Sequence, residues 1–252
     1  MSQSPPPSAS AAAIILAAGQ GKRMNSDLPK VLHRACGRTL VEYVLDAAAE
    51  AGAQRLVVVI GHRAELVREA LAGRTGVEFA VQERQLGTGD AVKAATGTLG
   101  THDGPILVLN GDMPLIRGAS LRKLLDEQRT RGAACVVGTA TTEQNAGLGR
   151  IVRDASGGFL RIVEERDASP DEKQIREINT GCFAFAGPDL FAALQEIRPA
   201  NQQAEYYLTD CAEILRRKGQ PVVALPCFDI AEALGVNTPQ QLADVELELR
   251  GR

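Results

Sequence analysis

The stretch LAAGQGKRMNSDLPK, residues 16–30, follows the apolar run AAAII and decides how the rest of the chain is read. A buried strand runs into a glycine-rich turn that carries three cations, Lys22, Arg23 and Lys30. Glycines at 19 and 21 free the backbone to aim successive N–H groups at an anion, and the cations add full charges. Two familiar phosphate loops are nevertheless excluded. A dinucleotide fingerprint needs a third glycine at position 24, which is Met24, and a P-loop needs Ser or Thr after its lysine, where Arg23 stands. A solvated basic loop is the plainer reading of the same residues.

Working outward, strand-like and helix-like segments alternate. Strands are predicted at 11–18, 55–61, 77–81 and 105–112, and helices at 39–52, 63–73, 88–99 and 119–132. This order predicts an α/β fold, a mostly parallel sheet with helices on both faces, whose ligands bind at the carboxyl ends of the strands. GQGKRM, QERQLGTG and NGDMP all follow strands and would meet at that edge. Beyond residue 132 the style changes. Strands at 133–141, 149–154, 158–165 and 178–187 and helices around 188–197 and 206–218 read as a smaller, more antiparallel second lobe over the edge of the first sheet. A strand at 221–226 and a final helix, with Pro239 suited to its first turn, close the chain.

Composition narrows the function. The chain has 252 residues, 44% of them apolar, which suits one large domain or two joined lobes. A net charge of −3, 4% aromatics and no tryptophan argue against a nucleic-acid binder. Cys36, Cys135, Cys182, Cys211 and Cys227 lack metal-ligand or CxxC spacing and read as small buried hydrophobes in a reducing compartment. His33, His62 and His102 are too scattered for a zinc site. Residues 1–12, rich in Pro, Ser and Ala, read as a disordered tail without the basic start of a signal peptide, and no run is long enough to cross a membrane. A cytoplasmic location is expected.

Two further positions invite chemistry. Asp112, after the apolar PILVLNG, suits a metal ion that bridges phosphates or, equally, a turn or helix-cap aspartate. Gln82 and Gln85 carry amides that both donate and accept, as the edge of a base requires, and Thr88 between Gly87 and Gly89 opens a helix.

LAAGQGKRM, LPKVL, QLGTG, NGDMPL, GLGRIV, IVEERDA, EINTG, EYYLTD and GVN occur in that order between about residues 13 and 245. The chain thereby resembles the sugar-1-phosphate nucleotidyltransferases. It is most similar to the uridyltransferase domain of the bifunctional N-acetylglucosamine-1-phosphate uridyltransferase / glucosamine-1-phosphate acetyltransferase. The resemblance implies a Rossmann-like, nucleotide-diphospho-sugar transferase fold spanning 13–252 as one domain. Its nucleotide lobe would cover about 13–132 plus the C-terminal segment, and its sugar lobe about 133–220. It also implies transfer of uridylyl from UTP to N-acetylglucosamine 1-phosphate with Mg²⁺, giving a cell-wall and lipopolysaccharide precursor. Leu16, Ala17, Ala18, Gly19, Lys30, Gln82, Gln85, Gly87 and Thr88 would bind the nucleotide. Arg23 and Lys30 would be catalytic, Gly149, Glu164, Asn179 and Thr209 would hold the sugar, and Asp112 and Asn237 the metal.

Three positions depart from the family pattern: Asn110 for a tyrosine, Leu148 for an aromatic and Asp90 for a histidine. The family's hexapeptide-repeat β-helix, which carries acetyltransferase activity and most of the trimer interface, would begin where this sequence ends, at Arg252, so the sequence is that of either a natural single-function form or a shortened chain. Acetyl transfer is therefore not expected, and self-association stays open. Neither nucleic acid nor membrane is an expected partner. The rival readings are a nucleotidyltransferase for another sugar phosphate or nucleotide, or a dead nucleotide-sugar sensor. A Rossmann-type redox enzyme fits worse, since Arg55 and Val57 stand where its ribose-binding acid would be sought.

Overall fold

The computed structural model describes residues 9–251, so most of the expected tail, residues 1–8, lies outside the described residues. The strands are β1 (Ala11–Ala17), β2 (Arg34–Ala35), β3 (Arg38–Thr39), β4 (Ala53–Ile60), β5 (Val77–Val81), β6 (Pro105–Asn110), β7 (Cys135–Thr141), β8 (Arg150–Arg153), β9 (Phe159–Val163), β10 (Glu177–Ala186) and β11 (Val222–Pro226). The helices are α1 (Leu40–Ala51), α2 (Ala64–Ala70), α3 (Thr88–Ala94), α4 (Thr96–Leu99), α5 (Gly118–Arg131), α6 (Gly187–Leu194), α7 (Thr209–Arg217), α8 (Ile230–Ala233) and α9 (Pro239–Arg250). Ala11 and Ala12, assigned above to the tail, already belong to β1.

One mixed sheet runs in the order β11-β7-β10-β6-β1-β4-β5. β1 pairs in parallel with β4 and β6, β4 with β5, and β11 with β7. Along this path β10 runs against its neighbours β6 and β7. The expected second lobe therefore has no main sheet of its own. β7, β10 and β11 extend the first sheet, and the hairpin of β8 and β9 branches from β10 through a single pairing, Ile178 with Arg150.

The period of two places alternate residues in two cores. Ala13, Ile15, Val58, Ile60, Leu107 and Leu109 face α1 and α5; Ala12, Ile14, Val57, Val59, Ile106 and Val108 face α3, α6 and α7. Cover on both faces explains why β1, β4 and β6 read as continuous apolar runs. The helix expected over 88–99 is interrupted at Ala95, before the poor helix formers Thr96, Gly97 and Thr98. Pro239 does open α9, with the Thr238 hydroxyl accepting from the Gln241 N–H at 3.2 Å.

A third, smaller core joins the ends of the chain. Met24, Ala35, Leu40, Leu115, Val236 and Val245 pack together. The residue that broke the dinucleotide fingerprint is thus an apolar anchor, 4% exposed, tying the opening loop to the C-terminal segment.

Candidate active site

β1, β4, β5 and β6 are mutually parallel, so their carboxyl ends share one edge. The antiparallel β10 brings its amino-terminal half to the same edge. There its register shifts between Asn179 and Phe183, and the extra residues bulge out. Gly181 takes φ 78° in that bulge, and a Cβ there would lie 2.4 Å from Asn110 Nδ2. Only glycine lets the bulge close over the end of β6.

The opening loop is held from several sides. Leu16 O accepts from the Gly111 N–H at 2.9 Å, and Ala18 O accepts from the His62 N–H at 3.2 Å and from Gln85 Nε2 at 2.9 Å. At Gly21 the backbone turns left-handed with φ 64°, and a Cβ would sit 2.7 Å from the Lys30 Cβ. Glycine here lets Lys30 fold back over the turn. Gly19 has another use: its φ is not positive, and a Cβ would meet nothing within 4 Å. It leaves open space rather than supplying a special turn.

Arg23, Lys30, Asp112 and Asn237 converge. The Lys30 ammonium is ion-paired with Asp112 Oδ2 and donates to Asn237 Oδ1 at 2.9 Å. Arg23 Nη2 donates to the same Asn237 oxygen at 2.9 Å. Asn237 is itself braced: its N–H donates to Gln241 Oε1 at 2.8 Å and its Nδ2 to Gly235 O at 3.1 Å. The Val236 N–H donates to Asp112 O at 2.9 Å, which ties the C-terminal segment to the end of β6.

Two cavities meet over this group. The first, about 400 Å³, is lined by every residue expected at the nucleotide: Leu16, Ala17, Ala18, Gly19, Lys30, Gln82, Gln85, Gly87 and Thr88. The second, about 460 Å³, is lined by all four residues expected at the sugar, Gly149, Glu164, Asn179 and Thr209, together with Arg23, Asp112 and Asn237. Leu16, Thr88, Asn110 and Asp112 line both. The shared wall places Asp112 where occupants of the two cavities would touch.

Across the junction the two halves brace each other. The Gly89 N–H donates to Tyr206 O at 2.7 Å, the Tyr206 N–H to Leu86 O at 2.8 Å, and the Leu208 N–H to Thr88 Oγ1 at 3.1 Å. QLGTG and EYYLTD, distant in sequence, thus form one clamp. In the second cavity the Thr209 hydroxyl donates to Glu164 Oε1 at 3.1 Å. Burial pushes the Glu164 carboxyl above the usual carboxylate range, and that hydrogen bond offsets part of the push. Asn179 Oδ1 accepts from the Gly181 N–H at 3.0 Å, and its N–H donates to Gly149 O at 2.8 Å.

Sequence reasoning missed several residues here. Asn110 was noted only as a departure, yet it lines both cavities; Leu148 lines the second. Glu205, inside the quoted EYYLTD neighbourhood, lines the first. Arg150, 1% exposed, pairs with Glu165 at 2.7 Å, and Glu165 also accepts from the Gly147 N–H at 3.1 Å. That pair holds the turn ahead of Gly149; a charged pair next to the motif was its one sequence signal.

Among the described residues, no group of three or more His, Cys, Asp or Glu could hold a metal ion. The Asp112 and Asn237 side-chain oxygens, however, converge on one cation, the Lys30 ammonium. Two hard oxygen donors facing one point fit a magnesium ion that takes its remaining ligands from water and phosphates, not one caged by protein. Among the described residues, no helix is long and apolar enough to cross a membrane.

The model of the MobA-like NTP transferase domain family matches residues 13–227. Among curated relatives, the bifunctional protein GlmU of Pelotomaculum thermopropionicum is 50% identical over 241 residues, 96% of this chain and 52% of its own length. The bifunctional protein GlmU of Lactobacillus delbrueckii subsp. bulgaricus is 47% identical over 231 residues, 92% of this chain and 50% of its own. That of Geobacter metallireducens is 46% identical over 233 residues, 92% of this chain and 49% of its own. The chain spans about half the length of these curated relatives. A solved UDP-glucose pyrophosphorylase complexed with UDP-glucose superposes with a TM-score of 0.79 at 18% identity, covering 97% of this chain and 100% of that one. That likeness establishes the fold, a mixed, mostly parallel sheet with helices on both sides.

Proposed function

The chain belongs to the MobA-like NTP transferase domain family, and from that premise we propose that it is a uridylyltransferase joining UTP and N-acetylglucosamine 1-phosphate into UDP-N-acetylglucosamine and pyrophosphate. The observation that carries the reading is the meeting of two cavities over Asp112, beside the convergent cations Arg23 and Lys30. Identity near 50% to proteins named bifunctional protein GlmU supports the choice of reaction.

UTP occupies the first cavity. The backbone of Leu16 to Gly19 lines the nucleotide, Gln82 and Gln85 face the uracil, and Gly87 and Thr88 lie against base and ribose. The sugar phosphate occupies the second cavity, its hydroxyls and acetamido group meeting Glu164, Asn179, Thr209 and the backbone at Gly149. The junction sets the sugar phosphate oxygen against the α-phosphorus. A phosphate monoester is already mostly ionised at neutral pH, so the attack needs no general base. The obstacle is charge: two anions must meet, and the departing pyrophosphate gathers more. Arg23 and Lys30 stabilise that charge and align the triphosphate for in-line displacement. Asp112 and Asn237 hold Mg²⁺, which when bound adds positive charge at the phosphates and orients them. The expected setting is the cytoplasm.

Pyrophosphate release over a panel of nucleotides and sugar 1-phosphates tests this reading. UTP with N-acetylglucosamine 1-phosphate should give the highest kcat/KM; a higher value for glucose 1-phosphate, or for dTTP, overturns the assignment in favour of the related enzymes.

A further inference from the structure

Gln82, the first residue after β5, is 6% exposed and lines the nucleotide cavity. Its N–H donates to Ile60 O at 2.8 Å, which fixes its backbone on the neighbouring strand. Its side-chain Nε2 donates twice: to Gly87 O at 3.2 Å, and to Asp90 Oδ2 at 2.8 Å. Asp90 lies in the first turn of α3, where its charge also favours the helix start.

Both partners are acceptors. A peptide carbonyl and a carboxylate oxygen have no hydrogen to give, so a reversed amide would turn Gln82 Oε1 against two oxygens. Chemistry thus permits one orientation, and in it both Nε2 hydrogens are committed. What Gln82 has left to offer is Oε1, which only accepts.

Building on the uridylyltransferase reading, we propose that Asp90 is a positioning residue for base selection: by holding the Gln82 amide in one orientation, it makes the cavity present an acceptor to the pyrimidine. Uracil answers with its N3–H. Cytosine has a bare lone pair at N3, so two acceptors would face each other without water between them. A mispaired buried acceptor discriminates more strongly than a missing contact does. Asp90 is the residue at which this chain departs from the family's histidine.

The experiment compares kcat/KM for UTP and CTP, with saturating N-acetylglucosamine 1-phosphate, in the wild type and in D90A, D90S and D90N. Alanine and serine remove the carboxylate, leaving Gly87 O as the remaining acceptor and loosening the hold on the Gln82 amide. The UTP:CTP ratio should fall by about tenfold in either, mainly through KM. Asparagine can still accept from Nε2 through its own oxygen and should restore most of the ratio. A ratio unchanged in D90A and D90S, with both nucleotides affected alike, overturns the proposal and leaves Asp90 as a helix-start residue. So does a D90N ratio as low as that of D90A. Absence of transfer from UTP in the wild type instead defeats the uridylyltransferase reading itself, and shows before any substitution is compared.

Discussion

Replacing Glu164 by glutamine should weaken sugar phosphate use while making the protein more stable. Glutamine keeps the shape of the side chain, and its oxygen can still accept from the Thr209 hydroxyl, now at 3.1 Å from Glu164 Oε1. The charge and one acceptor are lost. A hydrogen bond from a sugar hydroxyl to an ionised group contributes about 1.5–3 kcal/mol, which corresponds to about 10- to 100-fold in KM for the sugar phosphate. Stability moves the other way. Burial raises the Glu164 carboxyl above its ordinary value, so the folded state gains from the protonated form. That gain is present below the unfolded value and is lost as pH rises through the folded one. Above the folded value the wild type carries a carboxylate its surroundings disfavour, and E164Q removes it. Initial rates with each substrate varied against the other at saturation, with thermal melts at neutral and mildly acid pH, test both parts. The reasoning is refuted if the sugar phosphate KM is unchanged, if the UTP KM rises equally, or if the variant melts lower at neutral pH.

Three other outcomes follow from the same geometry. Asp112→Ala should nearly abolish turnover at ordinary magnesium and weaken Mn²⁺ binding measured by electron paramagnetic resonance, with the circular dichroism spectrum intact; near-normal turnover sinks the metal assignment. Arg23 is exposed, and among the described residues its side chain hydrogen-bonds to Asn237, so Arg23→Ala should fold normally and lose about 10²-fold in kcat. A rise confined to KM makes Arg23 a ground-state binding residue instead. Asp210, raised from 3.8 to about 6 by burial and by Glu213, Glu164 and Asp167, loses stability as pH rises between those values. After allowance for solvent screening, Asp210→Asn should gain about 1 kcal/mol at neutral pH, a few degrees in Tm. That gain should vanish toward pH 4, and a gain independent of pH excludes the carboxyl as its source.

Local pattern carried most of this structure. The apolar runs of β1, β4 and β6 were readable because cover on both sheet faces leaves no polar alternation to confuse them. The motif order brought Arg23, Lys30, Asp112 and Asn237 to notice before their contacts were known. Properties that depend on distant partners were not readable. Met24 appeared only as a missing glycine; its role comes from Val236 and Val245, more than 200 residues away. The hairpin of β2 and β3 and the one-turn helix α8 are too short to show periodicity. That β7, β10 and β11 extend the first sheet was not readable, because an antiparallel strand such as β10 can join a parallel sheet and apolar content does not reveal which sheet a strand joins. Likewise Asp90 is one of three isolated departures in the sequence, and only its hydrogen bond to Gln82 ties it to the first cavity.

The most direct test of the account follows the oxygen atoms. N-acetylglucosamine 1-phosphate labelled with ¹⁸O in its phosphate is incubated with UTP, Mg²⁺ and the protein, and both products are weighed by mass spectrometry. Attack by the sugar phosphate on the α-phosphorus predicts that all the label appears in UDP-N-acetylglucosamine and none in pyrophosphate, in equal molar yield. Label in pyrophosphate, or pyrophosphate formed without the sugar nucleotide, contradicts it.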